Sequence, residues 1–122
     1  MAVIVVVDDD VSILDAISLV LEDQGWEIKT YTHGQAFLDD WLHGGAIDCL
    51  VLDPHLDGLS GAAVVEALIG NPIPIPIIGL TARPESAVTQ RIRELGVEIV
   101  LLKPVLPDVF VEAIKAVLAG TR

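Results

Sequence analysis

Carboxylates stand where two apolar runs of this chain end: Asp8, Asp9 and Asp10 after Val3–Val7, and Asp53 after residues 50–52. A hydroxyl, Thr81, follows a third apolar run, and an ammonium, Lys103, followed by Pro104, ends a fourth. These groups are chemically complementary. Two carboxylates about 4 Å apart repel by roughly 4 kcal/mol at an effective dielectric near 20, so a cluster of such acids requires counter-charge. Lys103 supplies one positive charge and a divalent ion would supply the rest. Ligation by oxygen alone selects a hard cation, and a partial shell completed by water and phosphate favours Mg²⁺ over a closed Ca²⁺ cage. His33, His43 and His55 lie in loops without ligand spacing, so no metal role is assigned to their rings. Taken singly, each residue has a plainer reading: an acidic triplet caps a helix, a threonine closes a turn, a lysine ends a strand in solvent. Their joint placement on the matching ends of four strands favours a site.

The elements that must position these groups follow from the hydrophobic pattern. Val3–Val7 is a continuous β-branched run, and residues 11–24 carry a helical stripe through Leu14, Ile17 and Leu21 with Gly25 as the stop. Glu27–Tyr31 predicts a second strand. Residues 35–42 predict a short helix facing inward through Phe37, Leu38, Trp41 and Leu42, broken by Gly44 and Gly45. Residues 50–52, headed by Cys49, are apolar on both faces, as in the middle of a parallel sheet. Gly61–Ile69 predicts the third helix, and Pro72, Pro74 and Pro76 keep the approach to a strand at residues 77–80 extended. Residues 86–95 follow as a helix with Val88, Ile92 and Leu95 inward, ended by Gly96. Ile99–Leu102 is the fifth strand, and Pro107 opens a final helix whose inner face is Val109, Phe110, Ala113, Ile114, Val117 and Leu118, stopped by Gly120. Five strand–helix units without linker or repeat predict one α/β domain over residues 1–122, a doubly wound parallel sheet with helices on both faces. Right-handed crossovers bring all five carboxyl ends to one edge, where open parallel sheets bind ligands.

Composition narrows the function classes. Apolar residues make up 52% of the 122 positions and aromatics only 4%, which indicates an aliphatic core. A formal charge of -11, with seven Lys and Arg scattered from Lys29 to Arg122, provides no basic stripe for nucleic acid or an anionic membrane surface. The single cysteine, Cys49, rules out an internal disulfide and reads as a packed thiol, compatible with a reducing cytosol. The opening MAVIVVVDDD has no positive n-region and too short an apolar run for a span, so it is expected to be a strand rather than a signal.

With Asp8 and Asp9 after the first strand, Asp53 after the third, Thr81-Ala82 after the fourth and Lys103-Pro104 after the fifth, the chain resembles the receiver domain of two-component response regulators over essentially its whole length. That resemblance implies a flavodoxin-like (βα)5 sandwich with strand order 2-1-3-4-5, an order for which a member of this family is a standard example. It implies that Asp53 accepts a phosphoryl group from a phosphohistidine on a sensor histidine kinase or phosphotransfer protein, forming an acyl phosphate. It further implies Mg²⁺ held by Asp9, Asp53 and the main-chain carbonyl of His55, with Asp8 acting mostly through water. The Thr81 hydroxyl, the Lys103 ammonium and the amides of His55 and Ala82 would bind the phosphoryl oxygens. The implied protein is not an enzyme but a phosphoacceptor in a bacterial cytoplasm, with a homodimer or a downstream output protein as its further partner.

Departures from the family pattern are confined to a few positions. Pro54 directly follows the acceptor, Asp57 stands four residues after it where Pro is usual, and Val100 occupies a position that commonly holds Tyr or Phe. Val100 cannot exchange a buried for an exposed site as an aromatic does, so the response to phosphorylation is expected to centre on residues 81–85 and 55–58. Two alternatives remain open: a pseudo-receiver acting purely as an interaction module, supported by positions 54, 57 and 100, and a phosphatase working through an aspartyl phosphate. The latter lacks an acid two residues after Asp53, where His55 stands. The chain stops after the fifth helix without a basic output module, as expected of a stand-alone regulator or an excised domain.

Overall fold

The computed structural model describes residues 1–71 and 74–120 and contains ten elements in strict alternation. They are β1 (Val3–Val7), α1 (Val11–Glu22), β2 (Glu27–Tyr31), α2 (Gly34–Leu42), β3 (Cys49–Leu52), α3 (Gly61–Ile69), β4 (Ile77–Thr81), α4 (Ala87–Glu94), β5 (Ile99–Leu102) and α5 (Pro107–Ala119). All four strand pairings are parallel and the sheet order is β2-β1-β3-β4-β5. The expected doubly wound, flavodoxin-like sandwich is therefore the observed one. Pro72 lies outside the described residues; Pro76 lies in the approach to β4, where its carbonyl accepts the Leu50 amide at 2.9 Å.

Successive residues of a strand face opposite sides of a sheet, and the two cores follow that alternation. Val3, Val5, Val7, Leu50 and Leu52 pack with Phe37, Leu38, Val64, Val65, Leu68 and Ile92 under α2, α3 and α4. Ile4, Val6, Cys49, Val51, Ile78 and Leu80 pack with Leu14, Ile17, Leu21, Phe110 and Ile114 under α1 and α5. Strands β1 and β3 are fully buried, as their uninterrupted apolar runs require, whereas the edge strands β2 and β5 are mostly half-exposed. Cys49 is buried, and burial pushes its thiol up to about 12, so it is the inert packed residue expected. None of the described helices is long and apolar enough to cross a membrane.

Three helix readings need correction in phase or length. Helix α1 stops at Glu22, two residues short of the expected end, with Gly25 in the left-handed region at φ 81° beyond it. Leu42, the last residue of α2 and a border position of its stripe, is 71% exposed rather than inward. In α5 the buried face is Phe110, Val111 and Ile114, while Val109 is 48% exposed. At 100° per residue Val111 and Leu118 fall on one flank of Phe110–Ile114 and Val109 on the other, and the sheet lies toward the first flank. Helix α4 buries Thr89 beside Ile92, a polar residue that the apolar pattern could not assign inward.

Candidate functional site

The strand ends are stitched together by the same parallel ladder that builds the sheet. Asp8 N–H donates to the Tyr31 carbonyl (3.1 Å), Asp53 N–H to Val7 (3.0 Å) and Lys103 N–H to Thr81 (2.9 Å). Each of these residues is thus fixed by an adjacent strand before its side chain makes any contact. Beyond β3 the chain turns sharply at Pro54, whose carbonyl accepts the Gly61 amide at 3.1 Å. A Cβ at position 61 would stand 2.5 Å from Pro54 Cα, so glycine is required where α3 begins against this loop. Pro54 is accommodated: it is buried, and it costs the loop only an amide.

The structure divides the acidic triplet among three tasks. Asp10 is the N-cap of α1, accepting from the Ser12 and Ile13 amides at 2.9 and 3.4 Å. Asp9 is exposed. Asp8 is 1% exposed; its Oδ1 accepts the Asp10 amide at 2.9 Å and its Oδ2 takes the Lys103 ammonium at 2.6 Å. The plain capping reading thus holds for one acid and fails for the other two. Asp8, Asp9 and Asp53 each offer an oxygen, and these oxygens lie within 4.8 Å of one another.

Lys103 bridges the cluster, its Nζ lying 2.6 Å from Asp8 Oδ2 and 2.8 Å from Asp53 Oδ2. Burial holds the Asp8 carboxyl above the usual carboxylate range; hydrogen bonds from Lys103 and the Asp10 amide oppose that rise, and the Asp53 charge adds to it. For Lys103 burial acts downward, but the two carboxylates outweigh it and hold the ammonium above its ordinary value. An ammonium clamped between two acids therefore remains charged, and with Asp9 the three acids face a single cation, leaving them formally short of two positive charges. An all-oxygen donor set of that charge fits a hard divalent cation such as Mg²⁺.

Asp53, 7% exposed, also accepts the His55 amide on Oδ1 at 2.8 Å. Thr81, fully buried at the end of β4, takes the Arg83 amide on its hydroxyl at 2.9 Å. Ala82 is exposed at the start of the following loop, beside Thr81. All the residues singled out in the sequence thus lie at the carboxyl edge of the sheet, and Asp8, Asp9, Asp53 and Lys103 form one cluster.

Comparison with known proteins accords with this geometry. The model of the response regulator receiver domain matches residues 4–115. The chain belongs to that family. It is a receiver domain of the two-component response-regulator type, a regulatory module whose general function is a phosphorylation switch. The transcriptional regulatory protein FixJ of Bradyrhizobium diazoefficiens is 30% identical over 105 residues, covering 86% of this chain and 51% of FixJ. The chain spans about half the length of several of the curated relatives it matches. Among solved structures, a response regulator receiver protein from Burkholderia phymatum is 33% identical with a TM-score of 0.85, covering 98% of this chain and 96% of that one. A CheY-like receiver domain protein from Methanospirillum hungatei gives a TM-score of 0.90 at 23% identity, covering 98% and 95% of the two chains, and so shares the fold.

Sequence reasoning missed a second cluster beside the first. The His55 ring, 16% exposed, places Nδ1 3.6 Å from Asp53 Oδ1 and 3.3 Å from Thr81 Oγ1, while Nε2 lies 2.7 Å from Ser86 Oγ. A signal was available: an Asp readily accepts the amide two residues on, as Asp53 does from His55, and that turn keeps the His55 ring beside the carboxylate. Nothing local marks Ser86 as its partner, because the two are 31 positions apart.

Proposed function

We propose that residues 1–122 form one receiver unit in which Asp53 accepts a phosphoryl group from the phosphohistidine of a sensor histidine kinase or phosphotransfer protein. The observation that carries this reading is the Lys103 bridge. Asp53 is a central strand-end acid in direct contact with the ammonium, and its Oδ1 and the buried Thr81 hydroxyl lie 3.6 and 3.3 Å from the same nitrogen of His55. An Asp53 carboxylate oxygen attacks phosphorus, the P–N bond breaks, and its electron pair returns to the donor imidazole. Such a transfer depends chiefly on positioning and charge neutralisation, so no general base is needed.

The roles of the remaining residues follow from what each can donate. Lys103, already within 2.8 Å of Asp53, is placed to follow the phosphoryl oxygens, and the Thr81 hydroxyl and the amides of His55 and Ala82 complete a ring of donors. Asp9, Asp53 and the His55 carbonyl would hold Mg²⁺ directly and Asp8 through water; when bound, the ion offsets the negative charge that the acids and the phosphoryl group bring together. Asp8, held by Lys103 and the Asp10 amide, orients the ammonium. The switch would act in the cytoplasm by altering contacts with a second copy or an output protein.

Intact-mass analysis after incubation with a small phosphodonor tests the proposal. One phosphoryl group is expected to add in Mg²⁺, with none in chelator and none in Asp53→Ala. An unmodified wild type would favour the pseudo-receiver, and a mass shift that persists in Asp53→Ala would place acceptance elsewhere.

A further inference from the structure

The hydrogen bonds around His55 close into a ring whose direction can be worked out from the donors and acceptors alone. The Thr89 hydroxyl donates to the Arg83 carbonyl at 2.9 Å, and a carbonyl cannot donate back. Thr89 Oγ1 therefore receives the Ser86 hydroxyl proton across their 2.9 Å contact. Ser86 Oγ, its proton given away, accepts the Thr89 amide at 3.2 Å as the N-cap of α4. Toward His55 Nε2, 2.7 Å away, it can only accept again, so Nε2 carries the ring proton. In the neutral imidazole Nδ1 is then an acceptor, and the Thr81 hydroxyl 3.3 Å away must donate to it while taking the Arg83 amide. Each proton in the ring has one place to go.

That closure sets a conflict with phosphorylation. The Thr81 hydroxyl has a single proton, and in the resting arrangement it is committed to His55 Nδ1. A phosphoryl group on Asp53 offers charged acceptor oxygens, which bind a hydroxyl donor more strongly than a neutral nitrogen does. Once Thr81 turns, Nδ1 is left without a donor in a half-buried site 3.6 Å from an Asp53 oxygen. The ring must then leave or rotate, and its other nitrogen holds the cap of α4.

We propose that the His55 imidazole is the coupling residue of this domain, converting reorientation of the Thr81 hydroxyl into release of Ser86 and loosening of the first turn of α4. This rests on Asp53 being the phosphoacceptor and adds a route by which the signal leaves the site. His55 is a positioning residue: it does no chemistry on the phosphoryl group. Val100 packs beneath α4 against the core that contains Ile92 and provides no rotating aromatic, so the polar ring takes over that task. The response therefore extends past the two loops at residues 55–58 and 81–85 into α4.

Two NMR measurements on the 122-residue chain test this. Imidazole ¹⁵N spectra of the resting protein should show an unprotonated Nδ1 and a protonated Nε2 for His55. In Thr89→Val the Ser86 proton loses its acceptor and can turn to Nε2, so that pattern should become mixed. A protonated Nδ1 in the wild type overturns the proposal. Trifluoroberyllate with Mg²⁺, a mimic of a phosphoryl group on a carboxylate, should shift amides at residues 53–58, 81–85 and 86–90 in the wild type. In His55→Ala, which removes the ring but keeps the main-chain amide and carbonyl assigned to the phosphoryl group and Mg²⁺, the first two groups should still shift while residues 86–90 fall to background. An undiminished response at residues 86–90 in that variant refutes the coupling and leaves phosphoacceptance standing; absence of any response in the wild type removes both.

Discussion

Replacing Lys103 by Met should destabilise the metal-free domain by an amount that the geometry sets. The ammonium sits 2.6 and 2.8 Å from two carboxylates whose side chains are 2% and 9% exposed, and Met fills its volume without its charge. Oxygens of Asp8 and Asp53 within 4.8 Å of each other are then unscreened by any cation. Their repulsion is about 3.5 kcal/mol at an effective dielectric near 20. That matches the ~3–5 kcal/mol typical for removing one partner from a buried ion pair. With a urea slope of about 2 kcal/mol/M, the midpoint in chelator should fall by roughly 1.75 M. The loss should shrink as pH is lowered, because burial already holds the Asp8 carboxyl high and removal of Lys103 takes away the group that pulls it down. Mg²⁺ should likewise restore most of it, since an ion bound by the three acids supplies the missing charge. Urea titrations at two pH values, each with chelator and with Mg²⁺, provide the four numbers needed. A loss below about 1 kcal/mol, the ordinary worth of an exposed ion pair, would refute the electrostatic account of this pocket. So would a loss that neither acid nor Mg²⁺ relieves, because that would mark simple mispacking.

Further outcomes follow from the same geometry. Asp9→Asn should change metal-free stability by no more than about 0.5 kcal/mol, because Asp9 is exposed, yet should lower Mg²⁺ affinity markedly in a fluorescence or calorimetric titration. The folded-state pKa of Asp8 is raised from 3.8, so the folded protein binds more protons than the unfolded one above that value; metal-free stability should fall as pH rises through the Asp8 titration. Lys103 is raised from 10.5, so its contribution is complete below that pH and should be lost as pH climbs through its folded value, as thermal melts across both windows would show. Gly61→Ala should cost roughly 2–3 kcal/mol in a urea melt, because its Cβ would meet the Pro54 backbone at 2.5 Å.

The fold was legible because its central strands are buried on both faces and therefore write themselves as unbroken runs such as Val3–Val7. The start of α5 was legible because Pro107 acts through its own backbone, whereas Gly25 marked only the turn beyond α1, which ends at Glu22. The inward phase of α5 was not, since Val109 and Val111 are chemically alike and only the docking direction on the sheet separates them. Asp8, Asp53, Thr81 and Lys103 were legible together, because complementary polar groups fall on the matching ends of four parallel strands. The sequence could not say which acid of the triplet goes inside. That depends on Lys103, 95 positions away from Asp8. Ser86 escaped for the same reason, since His55 lies 31 positions away; Thr89 escaped because its inward turn is satisfied by Ser86 and the Arg83 carbonyl, local partners that an apolar pattern does not register.

The central claim, that Asp53 is the phosphoacceptor, is tested most directly by trapping the modification at its residue. An aspartyl phosphate formed from a small phosphodonor in Mg²⁺ is reduced by borohydride to homoserine, and peptide mass spectrometry then reads its position. Homoserine at position 53 alone is the expected result. Homoserine at Asp8, Asp9 or Asp57, or none at any position after a confirmed phosphoryl addition, would contradict it.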